Sequence, residues 1–255
     1  MKPMLLLHSQ SFPHYGLDRF FEFAKKAGFD GVEIAITDNF DTQNVEYLKR
    51  LEGRYGVPIK SFSMPQNLEE KVFEAFQKTV KEFPNTILNL SMPQSFAFRY
   101  KKWMENVVPK LAAKYDLKVN YRNVIFQMSF GIIPDRIGNS LYTLRETGRI
   151  CLDLSALWSS KQEIMRTIDF LGESLKSVYL SNVHKSVPYS RLETGVLPIE
   201  SFLTKLSKQQ FQGHFILKLS PKSLHEGEDE NLLQALKESK EFFEKYFEGK
   251  TDASV

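Results

Sequence analysis

The chain of 255 residues carries 34 Lys and Arg against 31 Asp and Glu, a formal net charge of +3, with 42% hydrophobic and 25% charged residues. That composition excludes a disordered chain, a collagen-like repeat and a disulfide scaffold, and so slight a charge excess argues against a nucleic-acid or membrane-surface binder. A single cysteine, Cys151, leaves no internal disulfide and suits a reducing compartment.

In chain order, short apolar runs alternate with amphipathic stretches. Met4 to His8 reads as a buried strand. Leu17 to Ala27 follows with apolar residues at helical spacing, ending at Gly28. Gly31 to Ile36 is a second strand, Thr42 to Tyr55 a second helix closed by Gly56, and Pro58 to Met64 a third strand. Asn67 is expected to cap a third helix that runs to Phe83 and stops at Pro84. Thr86 to Met92 is a fourth strand, and Phe98 to Tyr115 a fourth helix that Pro109 should kink or break. Leu117 to Phe126 is a fifth strand, followed by a loop through Gly131 and Pro134 and a weak helix over Ile137 to Glu146. Arg149 to Leu154 is a sixth strand, and Lys161 to Leu171 a helix with Ser160 as its cap. Leu175 to Leu180 is a seventh strand, followed by a long polar loop from Ser181 to Leu197, a possible lid. Pro198 opens a helix to Lys208, Gly213 to Leu219 is an eighth strand, and Asn231 to Phe247 a last amphipathic helix.

Strands alternating with helices imply a parallel sheet, and eight such units in about 250 residues fit a closed (β/α)8 TIM barrel of the α/β class. Residues 1–248 read as one domain and 249–255 as a polar tail. An open doubly wound sheet is the runner-up, but the GxGxxG and GxxxxGK[ST] phosphate turns it favours are absent. The apolar run at the start is too short for a secretory segment. Nothing approaches the roughly 20 apolar residues of a membrane span, so the cytoplasm is the expected location.

A barrel of this kind places its site at the carboxyl ends of the strands. Four ionisable residues sit there inside apolar segments: Glu33, Arg122, Asp153 and Lys218. Burying such charges costs several kcal/mol unless they are paired or reach water. Two acids and two bases can neutralise one another as a structural network, or they can build a polar ligand pocket. Both readings stand at this point. His8 ends the first strand and His184 lies in the long loop, whereas His14, His214 and His225 fall in loops or at the opposite end. His8, Glu33 and Asp153 would make a meagre metal site, and Arg122 and Lys218 beside them would repel a cation.

Phe21 to Ile34 (FEFAKKAGFDGVEI), Cys151 to Ser155 (CLDLS), Val178 to Asn182 (VYLSN), Leu192 to Ile199 (LETGVLPI) and Phe215 to Leu219 (FILKL) together resemble the xylose isomerase-like barrels. These include sugar isomerases and epimerases and the endonuclease IV type of apurinic-site nuclease, and the resemblance spans nearly the whole chain. It implies a divalent metal held by Glu, Asp, His and Glu on the fifth to eighth strands. The matching positions here are Arg122, Asp153, Tyr179 and Lys218, and the third-strand His of that superfamily falls near Ser63. One ligand of the four remains. The glutamates that would serve as the epimerase acid/base pair are replaced by fixed cations.

The expectation is therefore a divergent relative with a degenerate metal site and no cofactor. It would bind a sugar-like or anionic small molecule, or be a catalytically inactive pseudoenzyme. His8, Glu33, Arg122, Asp153, Tyr179, Asn182, His184 and Lys218 are the candidate ligand contacts. The alternative is a sugar isomerase or epimerase with altered chemistry, metal-dependent or built on Lys218 as base or Schiff-base amine with Asp153 as helper. A nuclease would need several metal ions and a basic face that the sequence lacks.

Overall fold

Eight parallel strands close into a barrel in the computed structural model, which describes residues 3–64, 70–94, 97–125, 128–129, 133–134 and 140–250. The strands are β1 (Leu5–His8), β2 (Gly31–Ala35), β3 (Ile59–Met64), β4 (Ile87–Ser91), β5 (Lys118–Arg122), β6 (Ile150–Asp153), β7 (Leu175–Leu180) and β8 (His214–Leu217). Each pairs with its sequence neighbour, and β1 closes the ring on β8 with Leu5 opposite Phe215.

Alternation along each strand separates two interiors. Leu5, Leu7, Val32, Ile34, Leu152, Val178 and Phe215 point outward into one large apolar cluster shared with the surrounding helices. Leu6, Cys151, Tyr179 and Ile216 form a separate cluster inside the barrel. Most of the other inward positions are polar, and Glu33, Ser61, Asn89, Asn120, Asp153 and Ser177 among them are buried. Gly31 has to be glycine, because a Cβ there would stand 2.7 Å from the Pro58 carbonyl oxygen of the next strand.

Helix α1 (Leu17–Lys26) buries Phe20, Phe21, Phe23 and Ala24 on one face, with Asp18 in its first turn and Lys25 and Lys26 in its last. Those ends complement the helix dipole, and each buried phenylalanine contributes roughly 1.5–3 kcal/mol of apolar burial. The segment expected as one helix over Thr42–Tyr55 is a single turn (Phe40–Gln43) followed by α2 (Val45–Tyr55). Asn44 divides them because its side chain accepts from the Tyr47 N–H and so caps the second. Helix α3 covers Glu70–Lys81, and the Asn67 cap lies outside the described residues. The expected helix around Pro109 is broken at Val107 into α4 (Phe98–Asn106) and α5 (Val108–Tyr115), with the proline in the first turn of α5, where its missing N–H costs nothing. Helix α6 spans Leu141–Glu146, and two-residue strands Met128–Ser129 and Ile133–Pro134 pair within the preceding loop.

Asp153 caps α7 (Leu154–Ser159), a helix the sequence reading missed. The next helix, α8 (Ile164–Leu171), begins at Glu163, which accepts from the Met165 and Arg166 N–H groups; Ser160 is not its cap. Helices α9 (Ile199–Lys208) and α10 (Asp229–Phe243) complete the ring, and α10 runs into a π-helical turn over Glu244–Glu248.

Residues 181–197 are not a plain loop. Asn182–His184 and Val187–Ser190 form an antiparallel hairpin over the barrel mouth. Its two-residue turn is Lys185–Ser186, both left-handed at φ 48° and 63°. That is the hairpin geometry that normally favours Asn-Gly, and Lys-Ser carries no such signal.

Candidate functional site

The chemistry gathers at the carboxyl ends of the strands. Glu33 on β2 is fully buried. Its Oε2 accepts from the Ser61 hydroxyl at 2.7 Å and the Asn89 amide at 2.5 Å, and the Tyr179 phenol donates to Oε1. Since β2 and β7 lie on different sides of the ring, the Tyr179 side chain crosses the lumen to reach it. Below, the Asn89 Oδ1 accepts from Asn120 at 3.1 Å and Ser177 at 3.0 Å, so the polar interior continues toward the far end. Burial and the Glu33 charge hold the Tyr179 phenol well above its usual pKa, which keeps it a proton donor.

His8 ends β1 with its Nδ1 accepting from the Gln10 N–H at 3.0 Å. The single proton of the neutral ring is therefore on Nε2, which lies 3.4 Å from Glu33 Oε1 and 3.4 Å from Ser63 Oγ. Burial, then the charges of Lys218 and Arg122, hold its pKa well below 6.5, so the ring stays neutral.

Asp153 receives the Tyr189 phenol at 3.1 Å on Oδ2, with Arg122 Nη1 at 3.6 Å from the same oxygen. Its Oδ1 caps α7 through the Ala156 N–H at 3.0 Å. Asn123 clasps its backbone, accepting from the Asp153 N–H at 2.7 Å and donating to its carbonyl at 2.9 Å. Arg122 also donates to the Ser91 hydroxyl at 2.5 Å and lies over the Tyr179 ring, 4.5 Å from its centroid.

Lys218, just past β8, has its ammonium 4.6 Å from the Tyr189 ring centroid and 5.5 Å from that of Tyr179. No carboxylate of the described residues lies within ion-pair distance of it. Burial first, then Arg122, lowers its pKa to about 8. Of the two ion pairs that a self-neutralising network would make, the structure holds the one between Arg122 and Asp153. Glu33 is satisfied instead by hydroxyl, amide and phenol donors.

His8, Glu33, Arg122, Asp153, Tyr179 and Lys218 are thus brought together around the Tyr179 ring. Asn182 and His184 are not. The Asn182 amide organises the segment after the hairpin, donating to Leu192 O at 2.9 Å and accepting from Val183 N–H at 2.7 Å and Leu197 N–H at 2.9 Å. His184 is exposed at the hairpin tip. Tyr189, which the sequence reading did not single out, joins the site from the hairpin. It is held in the left-handed region at φ 58°, with its N–H on Ser155 Oγ at 3.0 Å and its carbonyl accepting from the Ser220 N–H at 2.7 Å.

A divalent cation needs three or four carboxylate, imidazole or thiolate donors converging on one point. No group of three such side chains is assembled among the described residues, and Asp153 faces a guanidinium instead. The donor set does not fit a divalent metal.

Comparison with solved structures places this architecture. The chain superimposes on D-allulose 3-epimerase from Methylomonas sp. with a TM-score of 0.70 at 14% identity, covering 96% of this chain and 97% of that one. For D-psicose 3-epimerase from Clostridium cellulolyticum H10 the TM-score is 0.69 at 12% identity, covering 96% and 99%. For a xylose isomerase domain containing protein from Salmonella typhimurium LT2 it is 0.65 at 14% identity, covering 95% and 98%. The chain therefore has the xylose isomerase-like (β/α)8 barrel fold; at these identities the likeness speaks to the fold alone. No protein-family model matches the sequence, and no curated protein does. No helix of the described residues is long and apolar enough to cross a membrane.

Proposed function

We propose that the carboxyl-end site binds a small polyhydroxy or anionic molecule through its own fixed charges, without a metal, as a non-catalytic relative of the sugar epimerases whose fold it shares. The observation that carries this reading is Lys218. Its largely buried ammonium lies over two tyrosine rings and makes no ion pair with a carboxylate among the described residues. It suits a ligand carboxylate, phosphate or ring of hydroxyls arriving from the mouth. Arg122 adds a planar fork for the same group, and Tyr189 adds an aromatic face on which a sugar can stack. The Tyr179 and Tyr189 phenols, whose protons go to Glu33 and Asp153, keep oxygen lone pairs that can accept from ligand hydroxyls. Glu33 lies deeper, where its four polar neighbours hold the inner wall in place.

Thermal-shift screening with sugar acids and sugar phosphates tests this. A ligand of this class should raise the melting temperature of the wild type by several degrees and leave Lys218→Met and Arg122→Met unmoved. Equal shifts in all three proteins, or no shift with any compound, would refute it.

A second reading rests on the same amine. With a pKa of about 8, roughly a tenth of Lys218 is neutral at pH 7. Its nitrogen can add to the carbonyl of an open-chain sugar, and the carbinolamine then loses water to leave an iminium. Borohydride reduction in the presence of small aldoses and ketoses would trap that adduct on Lys218, and absence of the mass increase would remove this reading while leaving the first intact.

A further inference from the structure

The barrel has a second mouth. At the amino ends of the strands, opposite Lys218, lies a cavity of about 690 Å³ between the starts of β5, β7 and β8 and the ends of α8 and α9. His214 opens β8 and Lys218 lies just past its end, four residues on, so the two mouths are separated by roughly 13 Å of barrel. In this fold the amino-terminal face ordinarily serves stability, with loops and side chains packed across it. Here it opens into a cavity whose wall includes several cationic groups without a carboxylate partner among the described residues.

Three observations bear on what would fill it. His214 lines the cavity at 8% exposure, and its Nδ1 is buried with no hydrogen-bond partner. Arg149 lines it too, and its Nε is likewise buried and unpartnered. Buried polar atoms left unpaired cost about 1–3 kcal/mol each, more for charged groups, so both side chains hold unspent hydrogen-bonding capacity on nitrogens that a ligand reaches once the side chain turns toward the cavity. Second, Lys118, Arg149 and Lys176 have no carboxylate partner among the described residues, whereas of the two acids on the wall Asp169 is held by Lys205 at 2.6 Å. Positive charge is left in excess. Third, the remaining wall is apolar: Leu206 and Phe211 form one side. Gly213 lets that side approach, since a Cβ there would meet the Lys176 carbonyl oxygen and the Phe211 ring at 2.2 Å. A space of this size exceeds what an inorganic ion needs and falls in the range of small-molecule sites.

We propose that this amino-terminal cavity binds a small organic carboxylate, its acid group on Arg149 and His214 and its apolar body against Leu206 and Phe211. The site is independent of the one at the carboxyl end and stands whether or not that reading holds.

The test uses 2-naphthoate, with 2-naphthamide as its uncharged counterpart, followed by NMR of the backbone-assigned His214 ring in the full chain. Naphthoate should shift the His214 resonances saturably and raise the pKa of that ring, which burial, Lys118 and Lys60 hold below its usual value. The amide should bind at least tenfold more weakly, and Arg149→Met should weaken naphthoate at least tenfold. Lys218→Met, at the other mouth, should leave the His214 shift in place. A wild-type His214 ring that does not respond would overturn the proposal without recourse to any variant. So would equal binding of acid and amide, an unchanged affinity in Arg149→Met, or loss of the shift in Lys218→Met.

Discussion

Replacing Lys218 with Met removes the ammonium and keeps an unbranched side chain of similar reach against the Tyr179 and Tyr189 rings. The folded protein holds this amine near pKa 8 against a usual 10.5, so at neutral pH its proton is bound more tightly in the unfolded chain. Stability contributed by this group therefore rises with pH through the window from about 8 to 10.5, and below 8 the charged form is a standing penalty. The full shift corresponds to about 3 kcal/mol, an upper limit because Lys218 keeps some contact with water. Between pH 7 and 9 the same linkage gives a rise of about 1.3 kcal/mol. Urea unfolding of wild type and Lys218→Met at pH 7, 8 and 9, followed by far-ultraviolet circular dichroism, isolates it, because groups common to both proteins cancel in the difference. The variant should be the more stable at pH 7, by up to that limit, and its advantage should shrink by about 1.3 kcal/mol by pH 9. A variant less stable than wild type at pH 7, or a difference that does not change with pH, would show that Lys218 is a structural cation with a partner. The case for a ligand at this mouth would then lose its main support.

Other expectations are simpler. Glu33→Gln places an NH2 group among side chains that all donate to this position, and should cost about 2–4 kcal/mol by the same unfolding assay. Because His8 is held neutral, its contribution is complete above pH 6.5 and is lost as pH falls from there toward its lowered pKa. His8→Gln should accordingly flatten the fall in melting temperature between pH 6.5 and 5. Chelation with EDTA should leave the melting temperature unchanged, and elemental analysis should find no stoichiometric zinc, manganese or magnesium. Asn182→Ala should speed proteolytic cleavage within residues 183–197 several-fold while leaving far-ultraviolet circular dichroism unchanged.

The strand–helix alternation was legible because each barrel strand is a short apolar run with glycine, proline or polar residues at its borders. The ionisable residues at the strand ends were legible for the same reason: Glu33, Asp153 and Lys218 stand out in apolar company. Their partners were not. That Glu33 would take Tyr179 and Asn89 depends on which strands face one another across the closed ring, a distance of more than a hundred residues in the chain for Tyr179. Tyr189 was hidden by its hairpin, whose turn uses Lys185 and Ser186 where glycine or asparagine would have announced it. The helix after Asp153 did carry a signal, an acid at the N-cap position, but the same carboxylate also reads as a site residue. Its Oδ1 takes the Ala156 N–H, and its Oδ2 faces Tyr189 and Arg122. The sequence places His214 at the amino end of the barrel, away from the strand-end site. It lies at that end, yet buried, because the cavity walls shield it.

The lumen-crossing contact between Tyr179 and Glu33 has a consequence for how the chain acquires its shape. As the polypeptide leaves the ribosome, Glu33 emerges early and its phenol partner nearly 150 residues later, and the ring itself closes only when β8 reaches β1. Ser61 and Asn89 are there early to serve its Oε2, so it is Oε1 that waits for the Tyr179 phenol. A single hydrogen bond across the lumen thus ties the last donor of a carboxylate in the first quarter of the chain to a strand in the last third.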